Sequence, residues 1–271
     1  MLVIVLGAAL ALLPTPRYDR GCVVITVASR SPELVRRRPR ALASSDYPLP
    51  VPDLRERWQT GWLHATAYDS VVEHEVLARA LAPLAWGADL GAFYRAIARL
   101  GDVPEGSSIL DVPCGGGVAF RSLRPEQRVR YVAADISPVM LRRAEAEARR
   151  RGLDQIELIE ADVEALPFPT ATFDLCVSYT GLHCFPDPAA ALVEIARVLR
   201  PGGELRGSCL VKGAGLRQDV LVRLGQVAGV CGPSGTLAEL ESWLAGAGMV
   251  RVRTRCDGAL AYFSARPAGG A

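Results

Sequence analysis

The chain has 271 residues, half of them hydrophobic and 22% charged, with a formal net charge of +2. That balance suits one large globular domain with appendages and excludes wholesale disorder. The charge is too small to point to nucleic acid or an anionic surface, and no nucleic-acid partner is expected.

In chain order, the first feature is the apolar run Leu2–Leu13 in MLVIVLGAALALLPTP. Spanning a bilayer takes about 20 residues. No Lys or Arg precedes the run, and no clear small-x-small cleavage site follows it. An apolar cap on the fold, a weak membrane anchor and a start codon assigned too far upstream all fit. A soluble protein is the favoured expectation, with membrane contact through the N-terminus the minor one. From Pro14 to about Pro52 prolines and serines recur around a basic cluster, RRRPR at 36–40. Residues 1–52 therefore read as a poorly organised, solvated extension; a phosphate- or lipid-contacting arm is the alternative.

Residues 53–104 turn helical. VVEHEVLARALAPLAW spaces Val72, Val76, Leu77, Leu81 and Leu84 three and four apart, with Pro83 and Gly87 expected to break the helix. LGAFYRAIARL does the same with Phe93, Ile97 and Leu100. From 105 onward the period changes. Strands are predicted at SILDV, VRYVAADI, IELIEAD, FDLCVSYT and ELRGSCLV. Helices are predicted at MLRRAEAEARRRG, closed by Gly152, and at PAAALVEIARVLRPGG, closed by Pro201 and Gly202. The tail holds a helix with Leu237, Leu240 and Leu244 on one face, then MVRVRTRC, which sets Val250 and Val252 against arginines. A turn at Asp257 and Gly258 follows, then a last strand. The fold expected is α/β: a seven-stranded, mostly parallel, Rossmann-like sheet with an antiparallel C-terminal hairpin at its edge and an N-terminal helical cover. Residues 53–104 form the cover and 105–271 the α/β core of one domain.

The seven cysteines, Cys22, Cys114, Cys176, Cys184, Cys209, Cys231 and Cys256, include no Cys-x-x-Cys pair, and no histidine stands at zinc-finger spacing. No metal site is expected, and free thiols in a reducing cytoplasm are.

The turn after the first strand reads LDVPCGGG, Leu110 to Gly117. A glycine-rich turn lets backbone amides approach a ligand, with the N-terminus of the next helix nearby. A dinucleotide fingerprint would place glycines at 113, 115 and 118, where the chain has Pro113, Gly115 and Val118. A phosphate-binding P-loop would need Gly-Lys-Ser/Thr, and Lys212 is the only lysine in the chain. Both phosphate readings weaken. Pro113 removes one amide donor, which matters less to a ligand without phosphate.

LDVPCGGG resembles motif I of the class I S-adenosylmethionine (SAM)-dependent methyltransferases, with Asp111, Gly115 and Gly117 matching and Pro113 departing. AADIS, EADVEALPFPTATFD, FDLCVSYTGLHCFPDP and ARVLRPGGEL continue the resemblance in order, from about Ser107 to the C-terminus. The later segments are similar to the ubiquinone/menaquinone methyltransferase-like (type 11) branch.

The resemblance implies SAM as cofactor and a cofactor-binding set of Asp111, Pro113, Cys114, Gly115, Gly117, Asp135, Ile136, Asp162, Val163 and Tyr179. Asp111 would hold the methionyl amino group, Asp135 the ribose hydroxyls, and Asp162 would lie near the adenine amino group. Ile136 and Val163 would flank the ring, and Tyr179 would contact the methionine moiety. Each has a plainer reading: a brace of the turn for Asp111, a strand-end acid for Asp135, a solvent-facing acid for Asp162, core packing for Ile136 and Val163. His183 falls where the methyl acceptor should sit and is the candidate general base, with packing as the competing role. Cys114 lacks a base or cation to activate it and reads as a small loop residue. Tyr68 and Asp69 could belong to a lid.

The expected reaction is in-line transfer of a methyl group to a small, lipophilic acceptor. The absence of Asn/Asp-Pro-Pro-Tyr after the fourth strand argues against amino-methylating DNA enzymes. A nicotinamide-dependent Rossmann oxidoreductase and a non-catalytic SAM-binding protein remain the rivals. The oligomeric state is left open.

Overall fold

A computed structural model describes residues 75–227 and 231–269. The proposed extension, Tyr68 and Asp69 lie outside them. Seven strands form one sheet: β1 (Ser108–Asp111), β2 (Arg130–Asp135), β3 (Ile156–Glu160), β4 (Phe173–Tyr179), β5 (Leu199–Leu210), β6 (Met249–Asp257) and β7 (Leu260–Pro267), in the order β3-β2-β1-β4-β5-β7-β6. The first five are parallel; β7 pairs antiparallel with both β5 and β6. The described helices are α1 (Glu75–Ala85), α2 (Gly91–Ala98), α3 (Pro138–Arg151), α4 (Pro188–Val198), α5 (Leu216–Val227) and α6 (Leu237–Gly246).

Side chains alternate across each strand, so neighbouring residues feed opposite layers. Ile109, Tyr131, Ala133, Leu175 and Val177 face a layer containing Phe93 and Ile97 of α2 and Ala144 of α3. Leu110, Val132, Cys176, Leu205 and Phe263 face the other layer, with Leu192 and Ile195 of α4 and Leu240 and Leu244 of α6. Leu237 packs at the edge of that second layer. Helix α2 thus packs into the core.

Helix ends follow their local chemistry. The Asp187 side chain accepts from the amides of Ala189 and Ala190 and starts α4, with Pro188 in the first turn. Thr236 and Glu239 form a reciprocal capping box at α6. Gly152 ends α3 in the left-handed region, φ 66°.

Four local expectations need correction. Pro83 lies inside α1, which runs on to Ala85, and the turn comes at Gly87, φ 66°. Leu84, assigned to the apolar face of α1, is 47% exposed. Helix α4 ends at Val198, because Arg200 precedes Pro201 and is pushed toward extended backbone; β5 already begins at Leu199, opposite Phe173, with an irregularity before Glu204 meets Leu175. Finally, β1 is followed by no α-helix but by a 3₁₀ turn, Val118–Ser122, so no helix N-terminus stands behind the glycine turn. Sequence spacing also assigned nothing to α5. In the tail, an irregularity in the pairing between Val250 and Arg253, with Arg251 at φ 53°, interrupts the strict alternation of β6.

Candidate functional site

The parallel strands bring their carboxyl ends to one edge, the place where open α/β sheets take ligands. Asp111 ends β1 and Asp135 ends its neighbour β2. Both are buried, and alternation puts them on the α2-facing side with Tyr131. The Tyr131 hydroxyl donates to Asp111 Oδ2 at 2.8 Å. Asp135 accepts from the Gly115 amide on Oδ2 and the Ser137 amide on Oδ1, each at 2.9 Å. One carboxylate therefore ties the glycine turn to the end of β2.

The turn needs its glycines. Gly115 and Gly117 lie at φ 52° and 87°. A Cβ at Gly117 would also fall 2.5 Å from the Phe120 ring. The Cys114 amide donates to the Ala134 carbonyl at 2.9 Å and its side chain is buried, so it is a small packed residue of the turn. The Val112–Pro113 bond is cis. The Pro113 ring lies where a side chain at Gly181 would be: a Cβ there would come 2.2 Å from Pro113 Cδ. Pro113 thereby joins the glycine turn to the turn after β4.

Burial dominates the electrostatics. It raises Asp111 to about 7, against the bond from Tyr131 and helped by the charge of Asp135. It raises Asp135 to about 6, against the amides of Ser137 and Gly115. No cation among the described residues holds either carboxyl down. Ser137 Oγ and Ser178 Oγ, buried near these strand ends, also have no hydrogen-bond partner among the described residues. The arrangement suits a ligand that is cationic and rich in hydrogen-bonding groups.

The other sequence-expected residues divide. Ile136 is part-exposed beside Asp135, whereas Val163 is buried in the α4 layer. Asp162 caps the 3₁₀ turn Val163–Ala165, its Oδ1 accepting from the Glu164 amide at 2.9 Å. The Tyr179 hydroxyl donates to the Ala96 carbonyl at 3.0 Å, and its ring meets the edge of Phe93. Its donor is thus engaged on α2, so Tyr179 acts as a strut between β4 and that helix, and the expected contact with the methionine moiety gains no support from its geometry.

The geometry likewise gives the expectation of His183 as general base no support. Its side chain is 1% exposed, and burial lowers it to about 4. Its Nδ1 accepts from the Leu210 amide at 3.2 Å. At neutral pH the ring is uncharged, and its one proton sits on Nε2. Such a ring offers a donor where a base would need a lone pair.

Sequence reasoning missed Tyr131, Ser137 and Gly181. The period of two does put residues 131, 133 and 135 on one face. Placing Tyr131 against Asp111 requires the β1–β2 register, which pairs Ile109 with Tyr131.

Residues 110–206 match the methyltransferase domain family. Demethylmenaquinone methyltransferase of Thermus thermophilus is 40% identical over 124 residues, 45% of this chain and 55% of that one. Phthiotriol/phenolphthiotriol dimycocerosates methyltransferase of Mycobacterium leprae is 36% identical over 105 residues, 37% of each chain. Residues 110–206 form a class I SAM-dependent methyltransferase domain of the type 11 branch. SAM is the cofactor of this family. The crystal structure of a SAM-dependent methyltransferase from Aquifex aeolicus shares the fold of this methyltransferase domain, with TM-score 0.51 and 21% identity, over 68% of this chain and 92% of that one. The chain matches about a third to a half of the length of these curated relatives. No described helix is long and apolar enough to cross a membrane.

Proposed function

We propose that the whole protein transfers a methyl group from SAM to a small, lipophilic molecule. One observation carries the reading: two buried carboxylates, Asp111 and Asp135, end adjacent strands around a glycine turn with no described cation to neutralise them. SAM supplies a methyl group on a positively charged sulfur, together with an ammonium group and a ribose diol. Asp111 would face the ammonium group. Asp135 keeps acceptor capacity beyond its two amide bonds, since a carboxylate offers about four lone-pair sites, and would take the ribose hydroxyls. Gly115 and Gly117 let the backbone come close, Ile136 would lie against the adenine, and Asp162 and Val163 would border it. Pro113, Cys114 and Tyr179 shape the turn and its surroundings.

The chain's own contribution to the reaction is alignment and exclusion of water. No base is needed to displace a methyl group from a sulfonium toward an acceptor that is already nucleophilic. The names of the two curated relatives, built on demethylmenaquinone and on phthiotriol/phenolphthiotriol dimycocerosates, support a lipophilic acceptor here. A cytoplasmic setting and a single catalytic domain from about residue 53 complete the proposal.

Calorimetry with SAM and with its demethylated product tests the cofactor; absence of heat with both would sink the reading. NAD(H) should leave the melting temperature unchanged. Incubation with methyl-labelled SAM and a lipid and metabolite extract should move label into an extract component. Binding without transfer would mark a SAM-binding protein instead.

A further inference from the structure

A small cavity lies against the post-β4 turn and the end of β5. It is lined by Leu182, His183, Leu210, Ser234, Leu240 and Trp243, among others, and no charged side chain lines it. We propose that His183 Nε2–H and Ser234 Oγ form an oxygen-binding subsite for the methyl acceptor, so that the acceptor is an apolar molecule carrying a carbonyl or hydroxyl oxygen. This rests on the methyltransferase reading.

Two polar atoms on residues of the wall carry the inference. His183 Nδ1 is occupied by the Leu210 amide, so Nε2 bears the ring proton. That N–H has no hydrogen-bond partner among the described residues. Ser234 is 3% exposed, and its Oγ is likewise without a partner among them. Buried polar groups are seldom left unpaired. Here two belong to residues that line one cavity, on segments far apart in the chain. A ligand oxygen satisfies both: a carbonyl accepts from each, and a hydroxyl accepts from Nε2–H while donating to Oγ. An acid or a cation finds no countercharge in the wall.

The position fits the role. Leu182–Cys184 follows β4, and Leu210 ends β5, the neighbouring parallel strand. Gly181, which opens the turn, packs directly on Pro113 of the glycine turn. The subsite is therefore coupled through one contact to the cofactor side. The cavity admits a water-sized group, so it takes the oxygen and leaves the acceptor's apolar body outside it.

The test uses the full chain, ¹⁵N-labelled, with acetophenone as probe and ethylbenzene as its counterpart without oxygen. His183 is one of three histidines, so its Nε2 resonance can be assigned through H183N. The asparagine oxygen can stand in for Nδ1 toward Leu210, while the Nε2–H donor is lost. Expected is an Nε2–H tautomer near neutral pH, and a saturable shift of that resonance with acetophenone but not with ethylbenzene. S234A should weaken the acetophenone response about fivefold, and H183N should weaken acetophenone binding, followed by calorimetry, about tenfold. SAM affinity should stay within about twofold in both variants. Equal responses to the two probes would overturn the proposal, as would no response, or an S234A protein that responds like wild type. A resident water that neither probe displaces would do the same. Failure of wild type to bind SAM would strike the underlying reading, whereas SAM binding without probe discrimination would strike only this subsite.

Discussion

The two halves of the ligand edge are built on opposite principles. At the ends of β1 and β2, Asp111 and Asp135 are buried acids raised to about 7 and about 6, with amides and a tyrosine hydroxyl directed at them. At the ends of β4 and β5 the wall is apolar and uncharged, and its histidine is held neutral by burial. One half holds acids whose charge burial disfavours and a proton or a cation relieves; the other offers hydrogen bonds without charge. On the proposed function, the difference would let this edge distinguish cofactor from acceptor first by electrostatics and only then by shape.

The largest effect expected is from breaking the charged half. Asp135→Ala removes the charge-assisted acceptors of the Gly115 amide in the glycine turn and of the Ser137 amide beyond β2, and should weaken SAM binding about 100-fold or more by calorimetry. Next comes the seam between the halves. Gly181→Ala sets a methyl group against Pro113 and Ser178 Oγ and should lower stability by about 2–3 kcal/mol in denaturant unfolding.

Asp111→Asn sharpens the comparison. The Asp111 carboxyl rises from 3.8 to about 7 on folding, so the folded state binds the proton more tightly than the unfolded chain. Ionisation therefore removes stability as pH rises from about 4 to about 7. The variant lacks that loss: without cofactor it should be more stable than wild type at pH 8, by on the order of 1 kcal/mol, with the advantage fading toward pH 4. SAM affinity should rise about tenfold in wild type between pH 5.5 and 8, as the carboxyls ionise, and rise less in the variant.

The smallest effect is expected at the proline. Pro113→Gly should change SAM affinity by less than about tenfold, since the proposed anchoring groups are Gly115, Gly117 and the two acids. A greater loss would make the contact with Gly181 part of the cofactor site.

The parallel sheet was legible because its strands are short apolar runs punctuated by helices of period 3.6, and because Gly152 and the Asp257–Gly258 turn mark boundaries in local chemistry. Helix α5 was not: Leu216 is 79% exposed, and Val220 and Val227 are also exposed, so its apolar residues do not trace a single buried stripe. The early start of β5 was equally hidden, since Leu199 becomes strand only by pairing with Phe173.

The same boundary runs through the site. Sequence alone determined the glycine turn, its two acids and their order along the chain, since turn geometry and strand-end carboxyls are local properties. Tertiary structure alone decided which side chains meet: Tyr131 with Asp111, Tyr179 with Ala96, Pro113 with Gly181, and His183 with the Leu210 amide. It also decided which nitrogen of His183 carries the proton, because a histidine's tautomer is set by the partner the fold gives it, and that partner, the Leu210 amide, comes from β5.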